Sequence, residues 1–98
     1  MYKDIITYEL AENTTEEQLL KIAKQIVNDW MTKQVGFIKW EIHTNQNGSY
    51  TDIVFWASKE DAKVAEKEMA NIPNAMDWYN CYKKGSISSQ NLMTIASF

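Results

Sequence analysis

Ninety-eight residues, 45% apolar and 23% charged, suit one soluble globular domain and exclude a disordered or fibrous chain. A net charge of −3 with no arginine makes a poor nucleic-acid surface, because arginine is the usual fork for phosphate and guanine edges. One cysteine and one histidine allow neither an internal disulfide nor a Cys/His zinc cluster, so no metal is expected.

The start, Met1-Tyr2-Lys3-Asp4, carries an acid where a secretory leader would be basic, and no long apolar run follows. The lone cysteine fits a reducing compartment. A cytoplasmic protein with no membrane contact is expected.

Residues 2–10 are β-branched and aromatic and read as a strand. Thr14…Glu17 and Thr15…Gln18 both fit a capping box. Leu19, Ile22, Ala23, Ile26 and Trp30 then recur at helical spacing, which predicts a helix ending near Lys33 or Gln34, before Gly36. Residues 37–45 and 50–57 read as two strands of a hairpin turning at Asn47-Gly48. Ser58…Asp61 opens a second helix with Ala62, Ala65, Met69 and Ile72 on one face, stopped at Pro73. Residues 74–84 read as irregular and aromatic, and residues 86–98 as a last strand.

The order β-α-β-β-α-β is the split βαβ of a ferredoxin-like α+β domain over residues 1–98, an antiparallel sheet with two helices on one face. If Asn47 and Gly48 are the two central turn residues, Trp40 faces Phe55 and Ile42 faces Ile53. The face Ile38/Trp40/Ile42/Ile53/Phe55 then packs under the helices. The helix-free face carries Phe37, Val54 and Trp56 beside Lys39, Glu41, His43 and Asp52. On strand one, either Asp4/Ile6/Tyr8/Leu10 or Ile5/Thr7/Glu9 shares that face. So mixed a surface suits part interface and part pocket.

Gly36-Phe37-Ile38 opening strand two, and Phe55-Trp56-Ala57-Ser58 followed by Glu60-Asp61, resemble the dimeric α+β barrel superfamily. Within it, the chain is similar to the small antibiotic-biosynthesis-monooxygenase-like proteins, over nearly its whole length. The resemblance implies a homodimer in which two helix-free faces enclose a barrel and each protomer keeps a small pocket. It implies chemistry ranging from cofactor-independent oxygenation of aromatic polyketides to isomerisation and haem degradation. Trp56 matches a pocket tryptophan of the oxygenase-like members. The haem-degrading members carry an asparagine in strand one and a histidine in helix two. Neither is present here, which argues against haem chemistry.

Three groups of side chains are candidates for the site. The two-residue turn places His43 opposite Asp52, close enough to act as a general acid/base pair or to form a solvated cross-strand ion pair. Glu41, near Lys39, is a second proton acceptor with a pKa raised beside Trp56, the alternative being an inter-subunit salt bridge between Lys39 and an acid of the partner. Trp56, Tyr8, Phe37, Trp78 and Tyr82 are candidates to line a ligand pocket, the last two from an aromatic segment that either lids the pocket or plugs the core edge. Cys81 reads as a small apolar filler.

The expected function is a cofactor-independent monooxygenase-like or isomerase-like protein acting on a small hydrophobic or aromatic molecule in a homodimeric barrel. The alternative is a small-ligand-binding or assembly domain without chemistry. An RNA-recognition motif shares the element order but needs a basic, aromatic third strand; here that strand carries Asp52 and no basic residue. The last strand, through Met93, Ile95 and Phe98, is expected to reach the neighbouring protomer because 13 residues exceed an ordinary strand.

Overall fold

The computed structural model describes residues 1–98. Strands β1 (Tyr2–Tyr8), β2 (Phe37–Thr44), β3 (Tyr50–Trp56) and β4 (Ser88–Met93) form one antiparallel sheet in the order β2-β3-β1-β4. Helices α1 (Glu16–Asp29), α2 (Lys59–Lys67) and the short α3 (Ala75–Tyr79) complete the ferredoxin-like α+β fold.

Local chemistry sets the helix starts. Of the two candidate capping boxes, Thr15…Gln18 forms: Gln18 N–H donates to Thr15 Oγ1 at 3.2 Å, and Thr15 N–H donates to Gln18 Oε1 at 2.9 Å. Ser58 caps α2 by accepting from Asp61 N–H at 3.1 Å. Helix α1 stops at Asp29, earlier than its apolar spacing predicts. The chain tightens there into a 3₁₀ turn over Met31–Lys33 that keeps Trp30 and Met31 buried. Residues 75–79, read as irregular, form α3, which buries Trp78.

The hairpin differs from expectation by one residue, and the consequence is large. Its loop has three residues, Gln46-Asn47-Gly48, closed by Asn45 N–H to Ser49 O at 2.8 Å and Gly48 N–H to Asn45 O at 3.1 Å. Gly48 takes φ +86°, the left-handed last position of a three-residue loop, rather than the second centre of a two-residue turn. Trp40 therefore pairs with Val54 and Ile42 with Asp52, while His43 faces Thr51 and Glu41 faces Ile53. A slip of one residue moves every side chain of one strand to the opposite face relative to its partner. Ile38 is the extra residue of a bulge between Phe37 and Lys39.

The pairing sorts the sheet into two surfaces. Tyr2, Asp4, Ile6, Tyr8, Trp40, Ile42, Tyr50, Asp52, Val54 and Trp56 share the side under the helices. There Tyr2, Val54, Trp56, Ile26, Trp30, Ala62 and Trp78 form the larger part of the core. Tyr8, Leu19 and Cys81 form a second cluster, so Cys81 is the apolar filler expected. The bare side carries Lys3, Ile5, Thr7, Lys39, Glu41, His43, Ile53 and Phe55. The predicted faces are thus corrected: Ile53 and Phe55 leave the helix side, and Phe37, Asp52, Val54 and Trp56 join it.

Strand β4 has six residues, an ordinary length, so length gives no reason for it to reach a neighbour. Beyond it Ile95 and Phe98 are fully exposed.

Candidate functional site

Between the sheet and the helices lies a cavity of about 260 Å³. Four buried rings wall it: Tyr2 from β1, Trp30 at the end of α1, Trp56 from β3 and Trp78 from α3. The polar lining comes from Asp4, Lys63, Glu66, Ser89 and Asn91. Sheet pairing brings these residues together, since Tyr2 faces Trp56 and Asp4 lies between Val54 and Asn91. The small residues Ala62 and Ala65 keep α2 close to the sheet while its Lys63 and Glu66 reach the same space.

Asp4 is the chemical centre of the cavity. With its amide oriented to satisfy both neighbours, Asn91 donates to Asp4 Oδ1 at 2.8 Å and accepts from the Tyr2 hydroxyl at 2.9 Å. Partial burial pushes the Asp4 carboxyl above the usual carboxylate range. The nearby Trp56 indole N–H and Lys63 oppose that shift, and Glu66 adds to it. Trp56 Nε1 itself is buried and makes no hydrogen bond of good geometry. A half-buried carboxylate held at one oxygen and walled by aromatic rings can accept a proton from a bound molecule.

Trp56 and Trp78 line this cavity, which lies under the helices and not on the helix-free face where Trp56 was expected. Phe37 stands behind the wall, edge-on to Trp56 with centroids 5.8 Å apart. Tyr8 and Tyr82 are not in the lining; they pack against each other in the adjoining cluster, rings tilted by 44° and centroids 4.3 Å apart.

The His43–Asp52 pair does not form. Asp52 is 1% exposed under the helices, where Tyr8 OH donates to its Oδ1 at 2.8 Å. Burial pushes its carboxyl up to about 6, with the hydrogen bond from Tyr8, the Trp40 indole and His43 working against the rise. His43 lies on the bare face instead, its Nε2 3.1 Å from Glu41 Oε1. Lys39 Nζ sits 3.0 Å from Glu41 Oε2. Lys39 and then His43 hold the Glu41 carboxyl below its usual range, the opposite of the raised value expected beside Trp56. Glu41 and Trp56 are on opposite faces of the sheet.

Sequence reasoning passed over Asp4, Asn91, Tyr2 and Trp30. One signal was available: Asp4 is the only acid in the alternating set Asp4/Ile6/Tyr8 of an otherwise apolar strand face. No three His, Cys, Asp or Glu side chains are grouped to hold a metal ion, and no helix is long and apolar enough to cross a membrane.

No family model matches the sequence, and no curated protein matches it. Solved structures do. SnoaB, a cofactor-independent oxygenase from Streptomyces nogalater, superposes with a TM-score of 0.77 at 10% identity, covering 98% of this chain and 94% of that one. A monooxygenase from the gene ActVA-Orf6 of Streptomyces coelicolor, solved with the ligand nanaomycin D, gives 0.74 at 17% identity, covering 99% and 89%. A conserved protein from Methanosarcina mazei gives 0.71 at 10% identity, covering 93% and 89%. These likenesses show the fold alone: a ferredoxin-like α+β architecture shared with those structures.

Proposed function

We propose that this chain is a cofactor-independent monooxygenase-like or isomerase-like protein that binds a small hydrophobic or aromatic molecule between its sheet and helices. The observation that carries the reading is the Asp4 carboxyl, raised by burial, within an aromatic-walled cavity and beside Trp56. An apolar cavity of roughly 150 Å³ accommodates benzene, so about 260 Å³ suits a fused pair of rings. Asp4 removes a proton from an acidic O–H or activated C–H of that molecule. The electron-rich anion left behind either reacts with dioxygen directly or is reprotonated at another carbon. Trp56 and Trp78 hold the ring flat and exclude water.

In this reading the protein is a cytoplasmic homodimer whose bare sheet faces pack together. Ile5, Ile53 and Phe55 supply apolar area there, with Lys39 Nζ 4.6 Å and Lys3 Nζ 5.6 Å from the Phe55 ring. Glu41, His43 and Lys39 become interface charges, and proton transfer passes from the predicted His43, Asp52 and Glu41 to Asp4.

Oxygen uptake and product analysis over a panel of quinols and aromatic acids tests the reading. Turnover by the wild type that is lost in Asp4→Asn and Trp56→Phe supports it. Tight binding in the cavity with no oxygen uptake and no isomerised product establishes the binding-domain alternative instead.

A further inference from the structure

Beside the cavity lies a second polar constellation that this chemistry leaves unused. Asp52 is the one charged residue in the core. Tyr8, equally buried, donates to its Oδ1 at 2.8 Å. Asp52 Oδ2, Trp40 Nε1 and Tyr82 OH are buried without hydrogen-bond partners. A core carboxylate so incompletely satisfied is costly, and its retention calls for a role.

The rings around it form a continuous path. Tyr8 and Tyr82 are 4.3 Å apart between centroids, Tyr82 and Trp78 are 5.7 Å apart, and Trp78 is a wall of the cavity. In the other direction Tyr8 stacks on Tyr50 at 5.9 Å, and the Tyr50 hydroxyl donates to Glu16 at the surface. Phenols and indoles are the side chains that most readily give up single electrons. A phenol does so at moderate potential when its proton leaves together with the electron, which requires a hydrogen-bonded acceptor.

We propose that Tyr8 is a redox-active tyrosine that passes an electron through Tyr82 and Trp78 to an organic peroxyl radical in the cavity while its phenolic proton moves to Asp52. The Tyr8 O–H bond breaks and an Asp52 O–H bond forms, leaving a neutral phenoxyl radical. The peroxyl radical takes the electron, becomes a peroxide anion and gains a proton from water as a hydroperoxide. A small thiol reductant at the surface gives an electron through Tyr50 and becomes a thiyl radical; its proton neutralises the hydroxide left by water, and Asp52 returns the phenolic proton to Tyr8. The activity is protective, since it quenches a radical where the aromatic walls would otherwise be oxidised. Only the source of the peroxyl radical rests on the oxygenase reading above.

Asp52 must be ionised to accept the proton. The titratable groups facing it on the helix side are Tyr8 from β1 and Tyr82 beyond α3, with Tyr50 beside it on its own strand; His43 of β2 acts on it only as a charge from the other side of the sheet. With its carboxyl near 6, the acceptor is mostly charged at about pH 7.5 and mostly neutral at about pH 5.

The test uses ligand-free protein and an external one-electron oxidant, ruthenium tris(bipyridine) flashed with persulfate, followed by electron paramagnetic resonance and transient absorption. The wild type is expected to give a long-lived phenoxyl radical whose yield falls about tenfold from about pH 7.5 to about pH 5, following the Asp52 carboxylate population. Tyr8→Phe and Asp52→Asn are expected to lose that signal, whereas Tyr79→Phe, which removes an exposed tyrosine, keeps it. Tyr82→Phe is expected to replace part of it with an indolyl signal. An unchanged signal in Tyr8→Phe overturns the proposal. So does a pH-independent yield in the wild type, a measurement that needs no variant. No indolyl signal in Tyr82→Phe removes the path to the cavity. Because no substrate is present, failure here leaves the pocket reading standing, and absence of oxygen uptake leaves the radical result standing.

Discussion

Glu41 and Asp52 are close neighbours on adjacent strands, yet they face opposite sides of the sheet and titrate in opposite directions. On the bare side Glu41 meets Lys39 and His43 in water, which favour its charge. On the helix side Asp52 loses its hydration and gains mainly a phenol hydrogen bond, and its charge is disfavoured. Asp4, also on the helix side, moves the same way as Asp52. The comparison teaches that a carboxylate's chemistry here is decided by which way its strand residue points, and so by the register of one hairpin.

The largest effect that would break this comparison is catalytic. Asp4→Asn is expected to lower turnover about 100-fold or more, the usual contribution of a positioned base, whereas His43→Ala leaves it within about twofold. Steady-state oxygen uptake compares the two variants. A loss in His43→Ala alone would move the chemistry to the bare face.

Stability gives the next test. The folded carboxyl of Asp52 lies near 6, above its ordinary 3.8, so its contribution is fully present below about 3.8 and is lost as pH rises through about 6. The raised value corresponds to about 3 kcal/mol over that window. Denaturant titrations of wild type and Asp52→Asn should therefore diverge as pH falls from about 7.5 to about 4, with the wild type gaining relative to the variant. Parallel curves would show that burial does not control Asp52.

A smaller loss probes how the sheet is joined to α2. Gly36 has φ +80°, and a Cβ there would run into the Asp61 side chain. Gly36→Ala should cost at least about 1–2 kcal/mol from backbone strain alone, read as a lowered unfolding midpoint. The smallest effect is expected on the exposed side. Glu41→Gln should move the unfolding midpoint less than Gly36→Ala does, because the Lys39–Glu41–His43 group is solvent-exposed within the protomer and such ion pairs contribute little.

Much of the fold was legible because its signals are local and redundant. Thr15…Gln18 and Ser58…Asp61 mark helix starts, and Leu19, Ala23 and Ile26 mark the buried stripe. The site was less legible because it depended on one count. Asn47-Gly48 fits the centre of a two-residue turn and the end of a three-residue loop equally well, since each needs glycine at positive φ. Hydrophobic alternation could not arbitrate, because β3 is apolar on both sides: Val54 and Trp56 on one, Ile53 and Phe55 on the other. Asp52 made matters worse, since a charged residue is a poor guess for the core. Trp56 and Trp78 were visible in the sequence as candidate aromatic residues, but Asp4 and Asn91 belong together only through pairing between the first and last strands. That contact has no mark in either segment alone.

The central claim is that ligand chemistry takes place under the helices and not on the bare face. A crystal structure of the protein soaked with a quinol that it binds addresses this directly. The account predicts ring density against Trp56 and Trp78 with an oxygen at Asp4. Density among Lys39, Glu41 and His43, with the cavity beneath α2 unfilled, would contradict it.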